Sequence, residues 1–238
     1  MAQKFTTLDI DKYNKRIDRP LVRGDLSPQA ALLIFFIIFP LGILSSYFVN
    51  FTCFLIALIT AVFAVFYDVW MKKIKLLGNF FIAYIMAIPF VFGGAMILET
   101  KGFALNLSPA IIIIALIAFL SGVGREIMKD VMDFQGDKKV GVRSFPRYFG
   151  VKWSNAIAAV FYVIAVGLSF IPFFLPIYRL YYLNYYYLVI VSITDLMLLL
   201  ISLQLLFKKN PDLSFHRKFS LIALFFGLIA FLVGAFTG

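Results

Sequence analysis

Seven stretches of the chain, at about 29–48, 51–70, 79–98, 107–124, 154–175, 184–206 and 218–237, run for at least eighteen residues with almost no charge. A helix of roughly 20 apolar residues is what it takes to cross about 30 Å of hydrocarbon. Each stretch is therefore a candidate membrane span. The composition leaves no soluble alternative: 63% of the 238 residues are hydrophobic, 29 of them phenylalanine, and only 14% are charged. A water-soluble core grows too slowly with chain length to hide that much apolar surface. The expected fold class is all-α, a polytopic transmembrane helical bundle.

The connecting segments orient the bundle. Alternate segments carry 20 lysines and arginines against 2 on the other side. Basic residues accumulate in cytoplasmic loops, so the N-terminus is expected in the cytoplasm and Gly238 outside, in a multi-pass cell-membrane protein. The same bias accounts for the net charge of +10, and no nucleic-acid partner is needed to explain it. Residues 1–28 are polar and charged, which is not the composition of a secretory signal. The run Tyr-Tyr-Leu-Asn-Tyr-Tyr-Tyr at 181–187 reads as an aromatic belt at the external interface. Pro40, Pro89 and Pro172 fall inside spans, where neighbouring helices can satisfy the freed carbonyls. One cysteine, Cys53, and one histidine, His216, exclude a disulfide framework and Cys- or His-based metal chemistry. No internal repeat, low-complexity stretch or second domain interrupts the chain.

The scarce acids are more informative than the abundant bases. Eight of the 12 lie in two charged segments: Asp9, Asp11, Asp18 and Asp25, then Glu126, Asp130, Asp133 and Asp137. If the fourth span continues as a helix past Gly124, the second set stands at i, i+4, i+7 and i+11, on one face. Like charges at that spacing repel, and a cation would neutralise them. Hard oxygen ligands without His or Cys suit Mg²⁺, which bridges carboxylates to substrate phosphates. The plainer alternative is a solvated helix end balanced by Arg125, Lys129, Lys138 and Lys139. Tyr67 and Lys72–Lys73 close the second span, and Arg19, Arg23, Arg143 and Arg147 flank the acidic segments. Cations there can hold the oxygens of a diphosphate, or serve only as topological anchors.

These residues resemble a known family. Arg125-Glu126-Ile127-Met128-Lys129-Asp130-Val131-Met132-Asp133-Phe134-Gln135-Gly136-Asp137 is similar to the second aspartate-rich motif of the UbiA superfamily of intramembrane prenyltransferases, with Asp133 and Asp137 in its D-x-x-x-D. Gly141 to Pro146 resembles the G-x-x-T-L-P stretch. Asp9, Asp11, Asn14 and the run Asp18 to Gly24 resemble the end of the first motif with its R-P-L-x-x-G tail, and Tyr67 to Asn79 resembles the connecting motif. The Arg125-Glu126 opening and the terminal helix Ser220 to Gly234 look closest to the archaeal branch. The resemblance implies a single domain over 1–238 and an Mg²⁺-dependent enzyme. Its reaction would be transfer of a geranylgeranyl group from its diphosphate to the hydroxyl of geranylgeranylglyceryl phosphate, making the second ether bond of archaeal membrane lipids. It assigns catalytic roles to Asp133, Asp137, Lys72 and Tyr67. Substrate contacts would come from Asp130, Arg125, Lys129, Arg19, Arg23, Asn79 and Arg143, and metal ligands from Asp11, Asp9, Asp133 and Asp137. The partners implied are a polyprenyl diphosphate, a lipid-phosphate acceptor and the membrane, with no obligate protein partner.

The chain also departs from the family. The family has nine transmembrane helices and this chain offers seven candidates, the shortfall lying at the N-terminus. With Asp11 as the last aspartate of N-D-x-x-D-x-x-x-D, the other positions fall on Gln3, Lys4 and Thr7. A start further upstream is the favoured expectation, and a degenerate, catalytically impaired paralogue the alternative. An aromatic, quinone-pathway acceptor remains an open variant of the reaction. Asp195 stands in the middle of a span, a functional candidate by default or a hydrogen-bonding partner of a neighbouring helix. A carrier would concentrate charges at the midplane, and only Asp195 is there. Ser46, Asn155 and His216 carry no functional expectation.

Overall fold

Each apolar run folds as one helix. In the computed structural model, which describes residues 20–69, 74–98, 102–103, 105–139 and 141–238, these are α1 (Pro28–Tyr47), α2 (Phe51–Val69), α3 (Lys75–Met96), α4 (Pro109–Lys139), α5 (Phe145–Phe174), α6 (Tyr185–Phe207) and α7 (Leu213–Thr237). All seven are long and apolar enough to cross a membrane, and the protein is a multi-pass membrane protein. A one-turn helix, Pro20–Arg23, precedes them. Polar residues between the runs start the helices by accepting otherwise unsatisfied backbone N–H groups. Ser27 accepts from Ala30 N, Asn50 from Cys53 N, Asn184 from Tyr187 N and Asp212 from Phe215 N, at 2.8–3.1 Å.

Three helices overrun the apolar stretches that announce them. The fourth continues past Gly124 to Lys139, the condition on which its carboxylates share one face, while α5 begins at Phe145 rather than near 154 and α7 at Leu213 rather than near 218. Apolar length measures immersion in lipid, whereas a helix continues wherever its backbone is paired and one face is packed. The extensions all lie at the end of the bundle that carries the basic loops.

The helices α4, α5, α6 and α7 pack as a ring in which each touches the next, and α3 lies against α4. The shared interior holds Val123, Ile127, Ala158, Ala159, Tyr162, Leu198, Ile201 and Ala223. Lipid tails are as apolar as leucine, so small residues that let backbones approach, rather than burial from water, hold such helices together. Gly122 and Gly124 show this directly. A Cβ at Gly122 would meet the backbone of Ala83 on α3 at 3.2 Å, and one at Gly124 would meet Ala158 O on α5 at 3.0 Å. These two close approaches clamp α4 from both sides just before its charged extension. By contrast, α1 buries only Ser46 and packs mainly on α2.

Asp195 has a partner on the neighbouring helix. Its Oδ2 accepts from Ser169 Oγ of α5 at 2.7 Å, and the Tyr187 hydroxyl donates to the Ser169 carbonyl at 2.5 Å. Both Asp195 and Thr194 line a mainly apolar cavity of about 140 Å³ to which all five helices from α3 to α7 contribute.

Candidate active site at the charged end of the bundle

The site is built on the last four turns of α4. Along them the carboxylates change character. Glu126 and Asp130 are buried, each about 4% exposed, while Asp133 and Asp137 nearer the helix end are half-buried. Asp130 is the hub. Its Oδ2 accepts from the Asn79 side chain at 2.9 Å and from the backbone N–H of Phe145 at 3.0 Å, and its Oδ1 lies 3.6 Å from Lys75 Nζ. Phe145 is the first residue of α5, and the Ser144 side chain ahead of it makes no capping bond. A carboxylate from α4 therefore does the work of the missing cap, where the partial positive charge of a helix N-terminus favours an anion. Asp130 thus ties α3 and α5 to α4 at one point.

Lys75 opens α3 and reaches two turns of α4. Its Nζ donates to Asp137 Oδ2 at 2.6 Å while facing Asp130. Asp130 and Asp137 are seven residues apart, so one ammonium bridging both places them on a common face. Ile74 and Arg143 pair in an isolated parallel bridge beside it, joining the entry to α3 to the α4–α5 connection. One turn before Asp130, Glu126 accepts from Arg125 at 3.1 Å and from Lys129 at 2.9 Å. Tyr67, at the end of α2, stacks on Phe81 of α3 with ring centroids 4.8 Å apart. It stands within electrostatic range of Glu126, Lys75 and Asp130.

The structure thus brings together Tyr67, Asn79, Arg125, Lys129, Asp130, Asp133, Asp137 and, through its backbone, Arg143. Arg23 is spent on an exposed pair with Asp25 at 2.7 Å. Asp9, Asp11, Arg19 and Lys72 lie outside the described residues. Among the described residues no three His, Cys, Asp or Glu side chains converge as a metal site. What is present is one continuous acidic face with cations on both flanks, under the membrane-crossing part of the bundle. Such a face takes a polyanion only with cations between the two, and the apolar helices above it suit an attached apolar chain.

Residues 8–232 match the UbiA prenyltransferase family. The chain belongs to that family. As a UbiA prenyltransferase it is 38% identical to digeranylgeranylglyceryl phosphate synthase of Archaeoglobus fulgidus, over 96% of this chain and 75% of that one. It is 36% identical to the synthase of the same name from Methanococcoides burtonii, over 97% and 77%. A solved structure from work on digeranylgeranylglyceryl phosphate synthase in membranes superposes with a TM-score of 0.73 at 35% identity, covering 96% of this chain and 78% of that one. The chain therefore spans about three quarters of the length of these relatives.

Sequence reasoning about this prenyltransferase missed Lys75, which it passed over inside the Tyr67–Asn79 stretch. A signal was available, because Lys75 and Asn79 are four residues apart and so share a face of α3. Both meet Asp130. Of the described residues with a buried polar atom that finds no hydrogen-bond partner, Arg125, Asn155 and His216 were named from the sequence and Tyr162 was not.

Proposed function

We propose that this UbiA prenyltransferase transfers a geranylgeranyl group from its diphosphate to the hydroxyl of geranylgeranylglyceryl phosphate. The acidic face of α4 with Lys75, Arg125 and Lys129 beside it is the observation that carries the diphosphate half of this reading. The acceptor is supported by the relatives named for that product, which align along nearly the whole chain. The charged end faces the cytoplasm by the distribution of basic residues.

The donor set fits Mg²⁺ chemically. It is all oxygen, and Asp133 and Asp137 stand one turn apart on the less buried part of the face, where Asp9 and Asp11 of the N-terminal segment would complete it. Glu126 and Asp130 are already held by protein groups and serve as positioning residues. Bound Mg²⁺ would supply charge neutralisation for the departing diphosphate. The chain's own residues do the rest. Lys129 and Arg125 present positive charge to the diphosphate or to the acceptor phosphate, and the family resemblance adds Arg143, Arg23, Arg19 and Lys72 as further cations. Tyr67 offers a ring and a hydroxyl beside the reacting end. The apolar interior shields the electron-poor allylic carbon from water, and the acceptor oxygen forms the new C–O bond as the C–O bond to diphosphate breaks, its hydroxyl proton leaving with the diphosphate.

The reading is tested by incubating membranes that contain the chain with labelled geranylgeranyl diphosphate, Mg²⁺ and either geranylgeranylglyceryl phosphate or an aromatic acceptor. Label should enter the glyceryl lipid, and an Asp133→Ala, Asp137→Ala variant should lose it. Transfer to the aromatic compound alone would replace the acceptor, and no transfer above the variant would sink the activity.

A further inference from the structure

The acidic face already holds a cation of its own. Lys75 Nζ lies 2.6 Å from Asp137 Oδ2 and 3.6 Å from Asp130 Oδ1. Its two partners differ. The Asp130 side chain is 5% exposed and keeps two further donors, Asn79 and the Phe145 N–H. The Asp137 side chain is 13% exposed and, among the described contacts, Lys75 is the donor on its Oδ2. One of these carboxylates is locked into the helix packing and the other is held mainly by a lysine.

We infer that Lys75 is an internal counter-cation of the metal–diphosphate site, holding Asp137 while no divalent ion is bound and releasing it when one binds. The inference rests on the Mg²⁺–diphosphate reading above. Its physical basis is competition for one oxygen. An ammonium at hydrogen-bond distance occupies the side of Asp137 that a divalent ion, bonding at about 2.0–2.1 Å, would need, and the two positive charges repel each other. The lysine backbone cannot retreat, because Ile74 is bridged to Arg143 and Asn79, one turn on, is tied to Asp130. The side chain can. Its four-carbon stem is flexible and its charge is a compact point, and at 29% exposure the ammonium has somewhere to go. Released from Asp137, the ammonium turns outward and becomes available to the diphosphate, with Asp130 its remaining carboxylate neighbour. The pair thus prevents like-charge repulsion along the empty face and delivers a positive charge when the metal arrives.

The test uses the full chain purified in lipid nanodiscs, with Mn²⁺ as a spectroscopic stand-in for Mg²⁺. Electron paramagnetic resonance titration should show Lys75→Gln binding Mn²⁺ about fivefold or more tightly than the parent, the lower end of ordinary coupling between two ligands. Lys75→Arg, which keeps the charge, should bind no more tightly than the parent. Equal or weaker binding by Lys75→Gln overturns the inference. A second measurement needs no variant. Amine acetylation of the parent protein, read by mass spectrometry, should rise severalfold at Lys75 when Mn²⁺ is added and stay constant at Lys129, which pairs with Glu126 instead. Unchanged or reduced labelling of Lys75 overturns it equally. Mn²⁺ binding with no effect at Lys75 defeats this inference alone, whereas no Mn²⁺ binding by any form defeats the metal reading with it.

Discussion

The side-chain amide of Asn79 donates to the carboxylate of Asp130 at 2.9 Å, joining α3 to α4 with both groups buried. Because the same carboxylate oxygen accepts the first N–H of α5, one side chain sets the mutual position of three helices at the site. That makes Asp130 different in kind from Asp133 and Asp137, although the three look alike in the sequence.

Asp130→Ala should therefore cost stability. It leaves the Asn79 amide and the Phe145 N–H buried without an acceptor, at about 1–3 kcal/mol for each unsatisfied group. The expected result is a clear drop in the thermal unfolding midpoint in detergent, with Asp130→Asn intermediate. An unchanged midpoint for the alanine variant would remove the anchoring role.

Asp133→Ala and Asp137→Ala should behave in the opposite way. Among the described contacts, neither carboxylate holds buried backbone and amide donors as Asp130 does, and the Lys75 ammonium left by Asp137→Ala still faces Asp130. Each variant should fold near the parent midpoint yet lose prenyl transfer by roughly 100-fold or more, the usual scale for removing one group that stabilises developing charge. Chelation of divalent ions should abolish the parent activity as well. Full activity in either variant would take that residue out of the site.

The buried pair Ser169–Asp195 gives a cycle of variants. Ser169→Ala removes the donor and leaves a carboxyl group in the membrane interior with one partner fewer, at about 1–3 kcal/mol. Adding Asp195→Leu removes the stranded acceptor, so the double variant should recover much of the loss. If the double variant is as unstable as the sum of the two singles, the pair is not coupled as the structure has it.

At Gly124 the backbones of α4 and α5 come close, and a Cβ there would meet Ala158 O at 3.0 Å. Gly124→Val should force α4 off Ala158 and Tyr162, costing about 1–3 kcal/mol by overpacking, and should slow transfer because the carboxylate face begins two residues later, at Glu126. Retained stability together with retained activity would show that the close approach is dispensable.

Much of this protein was legible before folding. Seven apolar runs dictate seven helices because a backbone in lipid can satisfy its polar groups only internally. The spacing of Glu126, Asp130, Asp133 and Asp137 dictates one face as soon as α4 continues past Gly124, and the family motifs fall on that face. Helix ends were legible only roughly, since hydropathy reports immersion and says little about a charged helix held by packing, as in the starts of α5 and α7.

What only the tertiary structure decided is how four similar carboxylates divide their work. Sequence spacing is one-dimensional and puts them on equal terms. Burial and partners come from other helices: Lys75 and Asn79 from α3, the N–H of Phe145 from α5. Only when those groups arrive does Asp130 become an anchor, Asp137 a lysine-held carboxylate, and Asp195 a carboxyl group paired with a serine 26 residues away. A side chain's chemical role depends on its solvation and its neighbours, and both belong to the packed bundle rather than to the order of the residues.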